Sequence, residues 1–124
     1  MPVMTILELP YPPSVNHYYQ HGKGRMWIGA KGKAYREQVW AILKQKKIKP
    51  FEGKLCLDIY VYPPDKRKRD ADNTQKCLFD ALQHGGLYMD DYQVAKFCVT
   101  RLEPVKGGKI MIYAGSFLQC REWG

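Results

Sequence analysis

The stretch from Leu55 to Tyr62 constrains the fold most, because its side chains alternate along the whole of its length. Leu55, Leu57, Ile59 and Val61 fall on one side, and Cys56, Asp58, Tyr60 and Tyr62 fall on the other. A period of two is typical of a β-strand with one apolar face. Pro63-Pro64 follows directly and ends the strand, because proline withdraws a backbone donor.

Two helices and three more strands are predicted around this strand. Apolar side chains at helical spacing predict a helix from Ala34 to Lys47. A second helix starts with Asp72 or Asn73 as its cap and ends at Gly85-Gly86. The further strands are Thr5–Leu9, Val94–Leu102 and Lys109–Tyr113, the last two joined as a hairpin through a turn at residues 106–108.

These elements predict the fold class. We expect an α/β (α+β) protein with the order β-α-β-α-β-β, two main helices and a mixed sheet of about four strands. The 124 residues are enough for one small domain over residues 1–124. Residues 115–124 form a tail with no clear period.

Charge narrows the class of partner. Twenty Lys and Arg against twelve Asp and Glu give a formal charge of +8, which favours nucleic acid as the partner, with an anionic membrane second and plain solubility third. No apolar run approaches the ~18 residues that span a bilayer, and the first residues lack signal-peptide features. We therefore expect a cytoplasmic protein without a membrane partner. The four cysteines lack zinc-ligand spacing, which favours reduced thiols.

The stretch from Lys66 to Lys76 carries the chemistry. The consecutive cations Lys66, Arg67, Lys68 and Arg69 precede Asp70 and Asp72. Cations attract a polyanion, but neighbouring carboxylates repel phosphate unless a divalent metal ion lies between them. Mg²⁺ takes one or two carboxylates and completes its shell with water and phosphate oxygens. This pattern indicates a metal-dependent site that acts on nucleic-acid phosphate.

A third carboxylate can join this pair. The second helix carries the chain ~18 Å away from Asp72, and the seven residues from Gly85 to Asp91 can span ~23 Å. Asp90 or Asp91 can therefore return to the pair, and spacing alone leaves both open. Lys76 shares a helix face with Asp72 and would hold a phosphate or stabilise the leaving oxygen, while Asn73 would contact phosphate or orient a water molecule.

Other interpretations of these residues remain. Aspartates before a helix are favoured as caps, which explains one carboxylate but not the basic run. A non-catalytic DNA- or RNA-binding module would use the same cations. A metal-dependent nucleotidyl or phosphoryl transferase also uses Asp-x-Asp, although the sequence has no glycine-rich phosphate loop.

Two further features each allow more than one interpretation. The first is the proline-rich segment from Pro10 to Tyr19. Either its polar side chains contact the substrate, through Asn16, Tyr18 or Tyr19, or the tyrosines cover one edge of the core. Phe79 falls on the polar face of the second helix, where it would stack on a base, enter a subunit contact or shield the helix edge.

The sequence resembles the RusA family of Holliday-junction resolvases over nearly its whole length. The matching positions are Pro12-Pro13-Ser14, Asn16, Tyr18-Tyr19, Tyr35-Arg36, the block from Arg67 to Asn73, Gln75-Lys76, Phe79-Asp80-Ala81-Leu82, Asp90-Asp91, Gln93-Val94 and Lys106-Gly107-Gly108. Ala71 stands where a bulkier apolar residue is expected, and the tail beyond Ala114 has no counterpart.

The resemblance implies a homodimeric endonuclease that makes paired cuts in four-way DNA junctions during recombination and repair. It implies that Asp70, Asp72 and Asp91 bind Mg²⁺, or Mn²⁺ in its place, and act in catalysis with Lys76. It also implies that Arg69 and Lys76 are important basic residues, and we expect Arg67, Lys68 and Asn73 to join them at the DNA. No small-molecule cofactor is expected. A dimer also matches the two-fold symmetry of a junction that receives two cuts.

Overall fold

The computed structural model describes residues 4–69 and 72–117, with only the backbone of Asp72 and Asn73. Its helices and strands are β1 (Thr5–Leu9), α1 (Val15–Tyr18), β2 (Tyr19–Gly22), β3 (Arg25–Ile28), α2 (Ala30–Gln45), β4 (Leu55–Tyr62), α3 (Asp72–Gly85), a 3₁₀ helix (Asp91–Gln93), β5 (Val94–Arg101) and β6 (Lys109–Ser116). The fold is therefore mixed α+β, as expected, with three α-helices and a mixed sheet. No described helix is long and apolar enough to cross a membrane.

The chain divides into two compact units, which we call the sheet unit and the helical unit. The sheet unit takes Met1–Tyr11, Pro50–Lys66 and Tyr88–Gly124. The helical unit takes Pro12–Lys49 and Arg67–Leu87. Each unit is thus assembled from segments that are distant in the sequence.

The sheet unit contains four strands in the order β1-β6-β4-β5. One face of the sheet is buried by side chains that alternate along its strands: Leu7, Leu9, Leu55, Leu57, Ile59, Val61, Ile110, Ile112 and Ala114. Burying a large aliphatic side chain stabilises a fold by about 1.5–3 kcal/mol, so this face is a main source of stability. The predicted strand over Leu55–Tyr62 and its apolar face are confirmed.

The predicted hairpin between the last two strands is wrong. β5 pairs in parallel with β4, whereas β6 pairs antiparallel with both β4 and β1. Parallel pairing suits β4 and β5 because a long helical segment separates them in sequence. The turn that suggested a hairpin exists, with positive φ at Gly107 and Gly108. The segment between β5 and this turn passes the end of β4, and Leu102 N–H donates there to the Val61 carbonyl. The turn therefore does not join two paired strands.

The helical unit contains α1, α2, α3 and the β2-β3 hairpin. Helix α2 begins four residues earlier than predicted and buries Tyr35, Val39 and Leu43. Helix α3 begins at Asp72, which was a predicted cap, and ends at Gly85, as the Gly85-Gly86 signal indicated. It buries one face, formed by Thr74, Cys77, Leu78, Ala81 and Leu82. The helical periodicity was therefore a sound guide to both main helices.

The β2-β3 hairpin occupies residues 19–28, where no strand was predicted. Its strands pair from Tyr19 with Ile28 to Gly22 with Arg25. Lys23 and Gly24 form the turn, with φ of 50° and 73°. Two consecutive positive φ angles match the twist of paired strands. The hairpin was not predicted because its residues show no regular alternation.

Gly32 allows α2 to approach the end of α1, which gives a test of the helical unit. A Cβ atom there would overlap the Tyr18 carbonyl and lie 2.7 Å from Ile28 Cγ2. We expect Gly32→Ala to lower the free energy of unfolding by about 1–3 kcal/mol, the usual cost of overpacking, as measured by urea denaturation. Gly53→Ala is the control, because a Cβ atom at Gly53 meets nothing within 4 Å. Equal stability of the two variants would contradict the close approach.

Candidate functional site

The basic run leaves the end of β4 as irregular backbone. Lys66, Arg67 and Lys68 are exposed, and Arg69 is partly buried with its Nη1 donating to the Arg67 carbonyl at 3.1 Å. The run therefore presents cationic groups to solvent. Asp70, which follows it, lies outside the described residues.

Positive charge is concentrated in the helical unit. The sequence ranges of this unit hold thirteen Lys and Arg against four Asp and Glu, a formal charge of +9. The ranges of the sheet unit hold seven against eight, a formal charge of −1. A polyanion is therefore attracted by the helical unit, which carries Arg67, Lys68, Arg69 and Lys76.

Lys76 is exposed on α3, one turn after the first residue of that helix, Asp72. Its Nζ lies 5.0 Å from the centre of the Tyr19 ring. A cation above an aromatic face is stabilised by about 0.5–1 kcal/mol at an exposed site, so the ring restrains the ammonium group while leaving it open to a ligand.

The structure decides between the two readings of the tyrosines. Tyr18 is 0% exposed and Tyr19 is 8% exposed, so both side chains belong to the core of the helical unit. Their burial favours the alternative in which the tyrosines cover the core. Asn16 is exposed and remains able to make such a contact, and Phe79 is only partly exposed.

Asp80 joins the three helices of the helical unit. It accepts from Tyr18 Oη of α1, and from Arg36 of α2 through Nε at 2.8 Å and Nη2 at 3.1 Å. The guanidinium and carboxylate form a two-pronged ion pair, which is stronger than a single hydrogen bond. Because Asp80 lies one turn beyond Lys76, this network also orients the helix that carries Lys76.

The network shifts the ionisation of its members. Burial by itself raises the pKa of Asp80, but the hydrogen bonds from Arg36 and Tyr18 outweigh it, and the pKa is lowered overall. Burial, followed by the hydrogen bond to Asp80, raises the pKa of Tyr18. Asp80 is therefore a structural anion at neutral pH. Separately, burial raises the pKa of Cys77 to about 11, so this thiol is protonated and is no nucleophile.

Asp90 and Asp91 lie in a tight turn of the sheet unit. Asp90 caps the 3₁₀ helix, and its Oδ1 accepts from Tyr92 N–H at 2.9 Å. Asp91 is the first residue of that helix and is exposed. The carboxylate of Asp90 thus has a structural role that spacing could not reveal.

Gln93 holds this turn with both ends of its amide. Its Oε1 accepts from Met89 N–H at 2.8 Å and from Asp90 N–H at 3.2 Å. Its Nε2 donates to the carbonyls of Phe51 at 2.7 Å and Gly53 at 2.9 Å. The turn that presents Asp91 is therefore tied to the segment before β4. Sequence reasoning missed this role, because Gln93 and its two acceptors are about forty residues apart.

The suggested metal ligands can be compared only in part. Asp70 lies outside the described residues, and of Asp72 and Asn73 only the helical backbone is described. Within the described ranges, no three His, Cys, Asp or Glu side chains gather as a metal site would require. That Asp91 meets Asp70 and Asp72 stays a prediction. The donor set itself, three carboxylates, fits a hard ion such as Mg²⁺.

Fold and charge together describe a small α+β protein equipped to bind a polyanion. The family model of Endodeoxyribonuclease RusA matches residues 10–113. Crossover junction endodeoxyribonucleases RusA from Shigella sonnei and Enterobacteria phage 82 are each 41% identical to this chain, and that of Escherichia coli K12 is 40% identical. Each of these alignments covers 84% of this chain and 88% of the relative. The chain belongs to the RusA endodeoxyribonuclease family.

Asp80→Asn tests the network between the helices. We expect a loss of about 1.5–3 kcal/mol of unfolding free energy at pH 7, because the half-buried Arg36 loses its anion. A lowered pKa stabilises the fold above the unfolded value of about 3.9 and ceases to do so as pH falls through the folded value. The deficit of Asp80→Asn should therefore vanish in strong acid. Urea denaturation across pH measures this, with the exposed Glu37→Gln as control; a deficit that persists in acid would contradict the ionic role.

Gln93→Leu tests whether Gln93 positions Asp91. The substitution removes four hydrogen bonds from the turn that carries Asp91, the predicted metal ligand. Misplacement of a catalytic group can lower a rate about 100-fold. We expect slower cleavage of a DNA junction and a higher Mg²⁺ concentration at half-maximal rate, with junction affinity in Ca²⁺ unchanged. Gln45→Leu, at an exposed glutamine of α2, is the control. A normal Mg²⁺ requirement in Gln93→Leu would contradict the positioning role.

Proposed function

We propose that this chain is a structure-specific endodeoxyribonuclease that resolves four-way DNA junctions by paired, symmetric hydrolysis of phosphodiester bonds. Membership of the RusA endodeoxyribonuclease family carries the proposal, because the matched region spans residues 10–113 and the relatives are crossover junction endodeoxyribonucleases. The concentration of positive charge in the helical unit supports it independently.

The DNA would bind along the basic run and α3. Arg67 and Lys68 are exposed, Arg69 is partly buried, and Lys76 is exposed on α3. Each cation that neutralises a phosphate releases counterions, so affinity would fall steeply as salt is added. Asn73 would add a hydrogen bond to phosphate from the first turn of α3.

The metal ligands would be Asp70, Asp72 and Asp91. The choice of Asp91 over Asp90 rests on the family resemblance, and the carboxylate of Asp90 caps the turn. Mg²⁺, or Mn²⁺ in its place, would supply neutralisation of the phosphate oxygens and activation of water. The three carboxylates would hold this ion, and Gln93 would keep the turn of Asp91 in place.

Lys76 would act on the scissile phosphate. Its ammonium group donates up to three hydrogen bonds and carries a point charge, which suits the charge that develops on the phosphate or leaving oxygen. The Tyr19 ring below it and the Asp80 network one turn later limit its movement. Hydrolysis then needs no protein nucleophile, which agrees with the protonated, buried Cys77.

The active form would be a homodimer of single-domain chains in the cytoplasm. Resolution requires two nicks at symmetry-related positions, and one chain offers one set of three aspartates. A second candidate, a non-catalytic DNA-binding module, is favoured only by the charge of the helical unit. It would bind junctions equally well without any metal ion.

The decisive experiment is cleavage of a labelled synthetic four-way junction, with linear duplex as substrate control, in Mg²⁺ and in EDTA. We expect paired nicks on the junction that require Mg²⁺ and fall at least about 1,000-fold in Asp70→Asn or Asp91→Asn, because each removes a metal-binding charge. Binding to the junction should persist in both variants.

Asp90→Asn is the matched control, because asparagine also caps helices and should preserve the turn. Near-normal cleavage by Asp90→Asn together with loss in Asp91→Asn would support the assignment. The reverse result would move the metal ligand to Asp90. Tight junction binding without cleavage in any divalent metal would instead indicate the non-catalytic module.

A further inference from the structure

The β2-β3 hairpin carries two large side chains that reach solvent. Met26 is 51% exposed and Trp27 is 49% exposed. The strand register places Trp27 opposite Gln20 and Met26 opposite His21. Because neighbouring side chains of a strand point to opposite faces, Met26 and Trp27 lie on different faces of the hairpin. The face of Trp27 therefore presents a single large aromatic ring.

The indole of Trp27 rests on Gly22. A Cβ atom at Gly22 would lie 3.0 Å from Cη2 and 3.4 Å from Cζ3 of that ring, closer than side chains normally pack. The ring therefore lies against backbone that only glycine leaves bare, while about half of its surface is open to solvent. A ring supported in this way is suited to stack on a flat ligand, because it loses little conformational freedom on binding.

The sequence around Trp27 contains cations but no acidic residue. Residues 9–36 hold five Lys and Arg and no Asp or Glu. Lys23 and Arg25 are exposed on the hairpin, and Lys31 and Lys33 are exposed at the start of α2. Nucleic acid supplies a phosphate for such cations at every nucleotide and a flat base beside it. The ligand that fits the ring and its surroundings is therefore a nucleobase.

Trp40 shows that exposure alone does not indicate such a site. It is 47% exposed on α2, but Lys44 Nζ lies 5.7 Å from the centre of its ring, and Glu37 lines the same hollow. This ring already interacts with a cation of its own helix and has a carboxylate nearby. Trp27 differs in its glycine support and in the absence of acidic residues around it in the sequence.

The base of the hairpin lies at Lys76. Tyr19, the first residue of β2, has its ring 5.0 Å from Lys76 Nζ and pairs with Ile28. Trp27 is the next residue of β3 toward the turn, ~3.4 Å further along the strand. A DNA strand that Lys76 holds is therefore also within reach of the hairpin.

A branched DNA offers the ring something that a linear duplex lacks. In a duplex, each base pair is stacked on both sides by its neighbours. At a branch point, a base pair loses one neighbour when the arms separate. Apolar and aromatic side chains can take the place of a lost stacking partner, and stacking of this kind depends little on sequence.

We propose that Trp27 stacks on a nucleobase at the branch point of the DNA junction, with Lys23 and Arg25 on the neighbouring phosphates. The proposal rests on the proposed function and adds to it a residue that distinguishes a branched substrate from a linear one. Lys76 and the aspartates keep their predicted roles at the scissile phosphate.

The first test compares affinities for a four-way junction and for a linear duplex, with Ca²⁺ in place of Mg²⁺. We expect Trp27→Leu to weaken junction binding about 10-fold or more and duplex binding less than about 2-fold, because one base–aromatic stack is lost. Trp27→Phe keeps an aromatic face and should stay within about 3-fold of the unaltered protein. Met26→Ala and Trp40→Leu are the controls, because both residues are similarly exposed in the helical unit, and junction affinity should not change.

The second test observes stacking directly. The chain has three tryptophans, so Trp40→Phe together with Trp123→Phe leaves Trp27 as the only one. Stacking on a base quenches indole fluorescence. The junction should therefore quench the emission of Trp27 strongly, and the linear duplex should quench it little.

Three results would overturn the proposal. They are equal losses of junction and duplex affinity in Trp27→Leu, emission of Trp27 that the junction does not quench, and a changed mass of Trp27→Leu in solution. The last result would place the ring in a contact between protein chains. Circular dichroism checks that Trp27→Leu folds, and the quenching measurement decides the question if it does not.

Cleavage in Mg²⁺ separates this proposal from the proposed function. A junction that quenches Trp27 but is never cut would refute the nuclease alone. Paired cuts by Trp27→Leu with unchanged junction affinity would refute the role of Trp27 alone.

Discussion

The ion pair between Arg36 and Asp80 is the interaction on which the helical unit depends. Together with the hydroxyl of Tyr18 it joins three helices through one carboxylate, while the apolar sides of α2 and α3 supply the burial. A half-buried pair of this kind is costly to break but selects one arrangement of the helices. The orientation of Lys76, one turn away, follows from that arrangement.

A second organising feature is the separation of charge between the two units. The helical unit carries the excess of lysine and arginine, whereas the sheet unit is close to neutral. A polyanion binds to uncompensated cations, which release its counterions on contact. The division therefore favours the helical unit as the part of the chain that attracts DNA.

The elements that could be predicted are those whose signal is local. The strand Leu55–Tyr62 and the helix ending at Gly85-Gly86 follow from periodicity and from residues that stop an element. The pairing of β5 with β4 could not be predicted from the sequence, because the glycine turn between β5 and β6 is equally compatible with a hairpin of these two strands. In the structure β4 lies between them and pairs with both. The hairpin β2-β3 was missed because its pairing follows turn geometry and not alternation.

The candidate site divides in the same way. The sequence by itself determined the basic run, the aspartates, Lys76 and the family, because these depend on residue type and short spacing. Only the tertiary structure decided that Tyr18 is buried against Asp80, that Asp90 caps its own turn and that Gln93 holds Asp91 in position. Each of these roles depends on burial or on a hydrogen-bonding group whose position is set by the fold, and neither can be read from the sequence alone.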